Sequence, residues 1–498
     1  MNVNPITRLD YPDPDVIRVE DTYYMVSTTM HFMPGCEILQ SFDLVHWEHV
    51  TYVYETLDHT DAQQLKSGQN IYGQGMWAAS LRYHEGRFWI CFVANDTRKT
   101  YLYTSEKIDG PWKKQLIEGF YHDGSLLFDE DGRSYIVYGN DEIWITELNE
   151  DLTAPKKDGL HRLLVSDHKN PELGYEGSHI QKINGYYYIF LVHSLRDRWM
   201  RTEACFYSDS LEGEFTGGDV LCDDRGYCGQ GVAQGGIVDT PDGKWYAMLF
   251  QDSGAVGRIP ILLPVTWKDH FPFFGQNGHV PEEIEVHSTR PGYIYQPLVG
   301  SDDFCNGLLP RWQFNHDPDP RYYHLDALQG TYTITTREVC TELTQAVNTL
   351  TQRMSYPSCA AEVTVDASAL KEGDVAGLCA LQGCYAAVGI TKHHGKYEVL
   401  MLDKKEDGIL DMTEGTVVES HQMDFRLEAD FCNMKDEARC YYRVNKGDWL
   451  PIGTVHKLYF KLDHFTGCRF GLFCYAAEET GGSACFRDFK YYDVDEIS

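Results

Sequence analysis

Three carboxylates in this chain occupy the same place in a repeated sequence pattern. Five segments share the pattern, and they begin at Asp13, Trp77, Asp123, Glu176 and Gln234. From each of these residues to an aromatic residue in the next apolar stretch the interval is 11 or 12 residues, and the segments recur 46 to 64 residues apart. Because equivalent positions of a repeat lie at equivalent places in a symmetric fold, the three acids are predicted to converge on one pocket.

Two separated carboxyl groups are what hydrolysis of a glycosidic bond requires. One protonates the leaving oxygen, and the other activates water or attacks carbon; a gap of about 6.5–9.5 Å leaves room for the water. Asp13, Asp123 and Glu176 are the candidates for these roles. A third acid close to the proton donor would raise the pKa of that donor and help to orient it. Trp77 could offer a stacking face to a sugar.

Each of these residues also has a purely structural interpretation. Asp13 has proline on both sides, which suits a turn before a strand, and Asp15 could be the functional acid although it lies off the repeat position. Glu176 could form a structural ion pair, Asp123 could be a turn former, and Trp77 could pack in a core. Three acids at equivalent positions favour one common explanation, which is a functional site.

The spacing of the segments is typical of β-propeller blades, each a small antiparallel sheet around a central axis. Residues 1–300 are therefore predicted to form a five-bladed propeller, with Gly254–Trp267 in the last blade. The Pro- and Gly-rich stretch His270–Gly300 is interpreted as a packed connector. The Asp129–Gly132 segment lacks the ligand spacing of a calcium loop and is predicted to be a hairpin turn.

Residues 301–498 contain many short runs of alternating polarity, which predicts a β-sandwich and makes the whole chain all-β. We expect the sandwich to dock firmly on the propeller, and one of its loops to close one side of the pocket. The predicted strands are Thr331–Thr336, Thr349–Met354, Cys359–Asp366, Tyr385–Thr391, Tyr397–Asp403, Asp424–Asp430, Arg439–Val444, Lys457–Leu462 and Phe470–Ala476.

Composition narrows the classes of function. A length of 498 residues suggests two domains. The formal net charge of −32 argues against nucleic acid or an anionic membrane as a partner. No signal-peptide pattern and no run of 18 apolar residues occurs, and the fifteen cysteines form no Cys-x-x-Cys pair. We therefore expect a cytoplasmic protein with reduced thiols.

The same residues carry a resemblance to glycoside hydrolase family 43, whose members include β-xylosidases and α-L-arabinofuranosidases. The sequences that resemble the family are Tyr11-Pro12-Asp13-Pro14-Asp15, Trp77-Ala78, Asp123-Gly124-Ser125, Glu176-Gly177-Ser178-His179 and Gly257-Arg258. The chain departs from the usual pattern at Ala79, Gly124 and Ser178, where proline is common, and at Gln234, where many members have histidine. These departures bear on the substrate more than on the chemistry.

The resemblance implies a five-bladed propeller followed by a concanavalin-like jelly roll, and inverting, exo-acting hydrolysis. Asp13 would be the general base, Glu176 the general acid, and Asp123 the residue that orients the acid and tunes its pKa. Phe32 and Trp77 would form walls of the terminal-sugar pocket, and Gln234 would stand at the fifth blade position. His179 would support Glu176, and Arg258 would lie close to the substrate and to the acid site.

The expected activity is release of terminal β-D-xylose or α-L-arabinofuranose from short xylan- or arabinan-derived oligosaccharides. The expected partner is thus a small oligosaccharide, and a homo-oligomer stays open. No cofactor is expected to be required, although calcium stays open as a structural or pocket ion. The alternative is a non-catalytic, sugar-binding propeller.

Overall fold

The computed structural model describes residues 2–493, and their regular secondary structure is almost entirely β-strand. Helical structure is limited to three 3-10 turns, at Lys66–Gly68, Leu343–Gln345 and Cys432–Met434. In the described part of the chain, no helix is both long enough and apolar enough to span a membrane.

The N-terminal half is a five-bladed propeller, and each blade is an antiparallel sheet of four consecutive strands. Each of the five repeated segments covers the first two strands of one blade, so the prediction from spacing is confirmed. Blade 1 comprises Asp15–Val19, Thr22–Val26, Gly35–Ser41 and Glu48–Tyr54; blade 2, Met76–His84, Arg87–Ala94, Lys99–Ser105 and Lys113–Ile117; blade 3, Ser125–Phe128, Ser134–Asn140, Glu142–Leu148 and His161–Ser166; blade 4, Glu176–Ile183, Tyr186–Ser194, Arg201–Ser208 and Thr216–Leu221; blade 5, Val232–Asp239, Trp245–Asp252, Arg258–Lys268 and Phe271–Phe274.

The first strands of the blades surround the axis and are joined to one another by side chains. From blade 1 to blade 4, a side-chain oxygen of one blade accepts a hydrogen bond from a backbone N–H of the next. Blades 4 and 5, and blades 5 and 1, are joined by hydrogen bonds that a side chain donates. These contacts are Leu81 N to Asp15 Oδ2 (2.8 Å), Leu126 N to Ser80 Oγ (3.1 Å), Ile180 N to Ser125 Oγ (3.0 Å), Gln181 Nε2 to Ile237 O (2.8 Å) and Arg18 Nη2 to Asp239 Oδ2 (2.5 Å). Each neighbouring pair of blades is therefore joined, including blades 5 and 1.

The C-terminal half is a two-layer β-sandwich. One sheet has the order Leu410–Met412, Lys396–Lys404, Ala386–His393, Val375–Leu381, Arg469–Tyr475, Leu350–Arg353, Gln313–Asn315 and Phe32–Met33, with Thr416–Val418 also paired to Lys396–Lys404. The other has the order Tyr323–Asp326, Thr331–Thr335, Ser483–Asp493, Ser358–Asp366, Gln422–Asp430, Glu437–Val444 and Leu450–Lys457. Buried apolar side chains such as Leu378, Val388 and Phe425 fill the space between them.

The propeller and the sandwich share a sheet. Phe32–Met33, from a hairpin of blade 1, pairs with Gln313–Asn315 and becomes an edge strand of the sandwich. A salt bridge of 2.9 Å joins Arg353 of the sandwich to Glu37 of blade 1, and both side chains are buried. The predicted firm docking of the two parts is confirmed by these contacts.

Some predicted elements differ from the structure. The connector does not begin at His270, because Phe271–Phe274 is the last strand of blade 5. Pro272 is compatible with this strand because it lies at a sheet edge. The predicted strand Lys457–Leu462 is wrong, since the strand there is Leu450–Lys457. Val375–Leu381 was not predicted, because a strand buried along its whole length shows no alternation of polarity.

Asp15 and Arg82 form an ion pair on the propeller axis, with 2.7 Å between Asp15 Oδ2 and Arg82 Nη1. This ion pair gives a first prediction. Burial alone would raise the pKa of Asp15, but Arg82 and His179 lower it to about 2. Asp15 therefore contributes stability above its unfolded-state pKa of 3.8, and this stability is lost as the pH falls through about 2. Arg82→Met removes the guanidinium partner of this buried carboxylate and should reduce the free energy of unfolding at pH 7 by about 3–5 kcal/mol, measured by urea titration.

The matched control is Arg133→Met, which breaks an exposed ion pair with Asp131. Its effect should be no more than about 1 kcal/mol. Equal effects of the two substitutions would contradict the role assigned to Arg82.

Candidate active site

The acids lie at one end of the propeller, where the first strand of each blade begins; we call this end the mouth. Asp13, Asp123 and Gln234 all have positive φ, of 52°, 47° and 63°. Left-handed backbone at non-glycine residues costs about 1–2 kcal/mol and clusters at functional sites. In blade 4 a bulge follows Glu176, and a Cβ added at Gly177 would lie 2.7 Å from Gln234 Cγ. The backbone at the mouth is thus irregular in several blades.

Asp13 is buried and is held by donors on two sides. Arg258 Nη1 donates to Asp13 Oδ1 at 2.9 Å, and Thr28 Oγ1 donates to Asp13 Oδ2 at 2.6 Å. The Arg258 side chain is only 2% exposed. This arrangement fixes the orientation of the Asp13 carboxylate and places a guanidinium beside it.

Glu176 lies against a second group of polar residues. Asn140 Nδ2 donates to Glu176 Oε2 at 2.7 Å, and His122 Nε2 lies 3.4 Å from the same oxygen and 3.6 Å from Asp123 Oδ2. Gly177 N donates to Asp123 Oδ2 at 3.1 Å. Glu176 and Asp123 are therefore neighbours that share one histidine.

The electrostatics of this group follow from burial and crowding. Burial raises the pKa of Asp123 to about 6, with Glu176 and Asp13 adding to the rise and His122 opposing it. Asp123 and Glu176 together raise the pKa of His122 to about 9 against the effect of burial. At neutral pH the histidine is thus a cation between two acids, which partly offsets their mutual repulsion.

A loop of the sandwich closes one side of the mouth, as predicted. The ring of Phe465 lies 4.2 Å from the Arg258 guanidinium carbon and 5.5 Å from the Trp77 ring. Asp10 holds this loop in place, because its carboxylate accepts hydrogen bonds from Arg258 N at 2.7 Å and Gly467 N at 2.8 Å. The pocket wall therefore comes from both halves of the chain.

Two predicted site residues lie elsewhere than expected, and a third, Gln234, lies at the mouth but is almost fully buried. His179 does not support Glu176; its Nδ1 lies 3.1 Å from Asp15 Oδ1 on the axis. Phe32 is 1% exposed, with the Arg469 guanidinium 3.4 Å above its ring, so it offers almost no surface to a sugar. Gln234 is 4% exposed and its backbone N–H donates to Glu203.

Trp77 and Arg258 lie at the mouth as predicted, although Arg258 contacts Asp13 rather than the Glu176 side. Asp15, the alternative acid, is fully buried below the mouth. Its two oxygens are occupied by Arg82, His179 and a backbone N–H. This excludes a direct role in the open pocket.

Sequence reasoning missed several residues of the site. His122 directly precedes Asp123 in the sequence, so its place beside a repeat position could have identified it as a site residue. Asn140 lies at the end of the second strand of blade 3, where a mouth-side hairpin is expected. Phe465 gave no signal, because it lies far along the chain in the other domain.

A group that could hold a metal consists of His122, Asp123 and Glu176, whose ligand atoms lie within 4.8 Å of one another. Calcium prefers six to eight oxygen ligands, and a histidine with a pKa of about 9 is positively charged at neutral pH. On the axis, the Arg82 guanidinium already contacts Asp15. These residues do not fit a calcium site.

Comparison with known proteins agrees with this arrangement. Residues 3–272 match the model of glycosyl hydrolases family 43, and residues 301–492 match the beta xylosidase C-terminal concanavalin A-like domain. The chain belongs to glycosyl hydrolases family 43. Its fold is the family's five-bladed propeller followed by a concanavalin-like domain.

Similar family 43 proteins are named for action on two pentoses. A beta-xylosidase of Formosa agariphila is 27% identical over 99% of this chain and 89% of its own length. A non-reducing end alpha-L-arabinofuranosidase of Bacteroides ovatus is 25% identical over 66% of this chain and 63% of its own length. The structure of a bifunctional GH43-CE protein of Bacteroides eggerthii has a TM-score of 0.93 and 41% identity; it covers 100% of this chain, which spans 64% of that protein.

The crowded acids give a second prediction. Asp123 should be protonated below about pH 6 rather than below its ordinary pKa of 3.8. Glu176→Gln should lower this pKa, because Glu176 is one of the groups that raise it. Carboxyl-carbon NMR titration would measure both values, with Asp123→Asn used to assign the resonance. A wild-type midpoint near 4 would contradict the prediction.

Proposed function

We propose that this chain is an inverting, exo-acting glycoside hydrolase that releases a terminal pentose from short xylan- or arabinan-derived oligosaccharides. The observation that carries the proposal is the separation of two acids at one mouth. Asp13 belongs to blade 1 and pairs with Arg258, whereas Glu176 belongs to blade 4 and pairs with Asn140 and His122. Blade 5 lies between them.

In the proposed reaction, Asp13 is the general base and Glu176 the general acid. A water oxygen attacks the anomeric carbon as its bond to the leaving oxygen breaks. The water proton goes to Asp13, and the proton of Glu176 goes to the leaving oxygen, so that all charges balance. Asp123 and His122 position Glu176 and set the charge around it.

Exo action is supported by the closure of the mouth. The rings of Phe465 and Trp77 lie in contact, tilted by 43° at a centroid distance of 5.5 Å, on the side that the sandwich covers. Phe465 also lies against Arg258. A terminal sugar fits a pocket closed in this way better than the middle of a polymer does. Engineering of the active site of a similar family 43 enzyme gave both endo-xylanase and exo-arabinofuranosidase activity, so the residues around such a site influence the mode of action.

The proposal includes no required metal, because Arg82 and His122 supply positive charge at the axis and between the acids. We also propose that the enzyme acts in a reducing compartment such as the cytoplasm. Ten of the fifteen cysteines are buried, and none of the fifteen forms a disulfide.

The roles of the two acids give a third prediction. Asp13→Asn and Glu176→Gln should each reduce kcat/KM by about 10²–10⁴-fold, the usual range for general acid–base catalysis, while the fold is retained. On substrates with a good leaving group Glu176→Gln should lose less than Asp13→Asn, because such a group needs less protonation. Retention of more than about a tenth of wild-type kcat/KM by either folded variant would contradict the assignment.

A fourth prediction concerns stereochemistry and tests the proposed function directly. Proton NMR in the first minutes of reaction should show the product with inverted anomeric configuration, measured on an aryl β-xyloside and an aryl α-arabinofuranoside in parallel. The faster substrate would identify the preferred pentose. Initial formation of the retained anomer would mean a nucleophile in place of the base, and binding without turnover would favour a non-catalytic protein.

A further inference from the structure

Trp199 is an exposed tryptophan at the mouth of the propeller. Its side chain is 44% exposed, on the hairpin between the second and third strands of blade 4. Adjacent strands of a blade run in opposite directions, so this hairpin lies at the same end as Glu176, where the first strand begins. The indole is therefore presented to solvent on the blade that carries the proposed proton donor.

Arg201 lies behind the indole. Its guanidinium carbon is 5.2 Å from the Trp199 ring centroid and 5.2 Å from that of Phe250. The side chain is 7% exposed, and its Nε donates to Asp252 Oδ2 at 2.9 Å. Within residues 2–493, no side chain or carbonyl accepts a hydrogen bond from its two terminal nitrogens.

The guanidinium of Arg201 is charged. Burial lowers the pKa of Arg201, but Asp252, Glu176 and Asp13 outweigh this effect and raise it. The charged group therefore makes a cation–π contact with the Trp199 ring from behind.

The hairpin that carries Trp199 is held in one conformation. Ser194 Oγ donates to Arg198 O at 3.1 Å and accepts from Met200 N at 2.9 Å. Arg196 Nη1 donates to Asp167 O at 2.6 Å, which ties the hairpin to the connector before blade 4. A braced loop with an exposed indole has the properties of a preorganised binding surface.

We propose that Trp199 forms the binding surface for the sugar on the leaving-group side of the scissile bond. The exposed indole face stacks on the sugar ring, and Arg201 supports the indole from behind. This inference rests on the proposed function, because Glu176 must protonate the leaving oxygen. The leaving sugar must therefore lie on the Glu176 side of the pocket, which is where blade 4 presents Trp199.

The test compares three substrates of the preferred pentose that differ in their leaving group: the glycosyl fluoride, the aryl glycoside and the disaccharide. Trp199→Ala should reduce kcat/KM for the disaccharide about tenfold, because the leaving sugar loses the ring on which it stacks. It should change kcat/KM for the fluoride, which has no leaving ring, less than about twofold. Trp199→Phe should keep most of the disaccharide activity.

The matched control is Trp245→Ala, at the opposite end of the axis, which should affect all three substrates equally. Equal loss on fluoride and disaccharide in Trp199→Ala, or no loss on the disaccharide, would overturn the proposal. If the wild type hydrolyses none of the substrates, the proposed function has failed instead. In that case calorimetric titration with the disaccharide tests the role of Trp199. Trp199→Ala should weaken binding of the disaccharide, and unchanged binding would overturn the proposal.

Discussion

The structure depends on one buried carboxylate on the propeller axis. Asp15 is fully buried, and its oxygens accept hydrogen bonds from Leu81 N and Arg82 Nη1, with His179 Nδ1 at 3.1 Å. The donors come from blades 2 and 4, so a side chain of blade 1 holds three blades together. Arg82 also donates to Leu126 O and Ser125 Oγ of blade 3. An unpaired charge at this depth would be costly, and the blades are fixed around its partners.

The acids at the mouth depend on that frame. Asp13 lies two residues before Asp15, and Glu176 lies three residues before His179, so the axial contact between Asp15 and His179 fixes the spacing of the two strands that carry the acids. A sub-ångström error in the position of a catalytic group can cost much of its effect. The axial cluster thus connects the stability of the propeller to the geometry of its pocket.

The sequence predicted those features that repeat. Successive side chains of a strand point to opposite faces, so a two-residue period of polarity in the sequence indicates a strand. The five-fold repeat showed that Asp13, Asp123 and Glu176 occupy equivalent positions. The prediction from sequence failed for His179. This residue is close to Glu176 in the sequence, but three residues along a strand place it further from the mouth, where its side chain contacts Asp15 rather than Glu176. The prediction also failed for Phe32, because the burial of that ring depends on Arg469 from the other domain. Residues brought together only by docking leave no periodic signal.

The most consequential of these docking contacts is at Asp10. Its carboxylate joins the backbone of Arg258, which pairs with Asp13, to the backbone of Gly467, next to the loop that carries Phe465. The bond from Gly467 N joins the two domains and could not form if they separated. Gly467 also has no room for a side chain, since an added Cβ would lie 2.2 Å from Val256 O. The position of the guanidinium that pairs with Asp13 and the closure of the pocket are therefore set by the same carboxylate, so the sandwich forms part of the candidate active site.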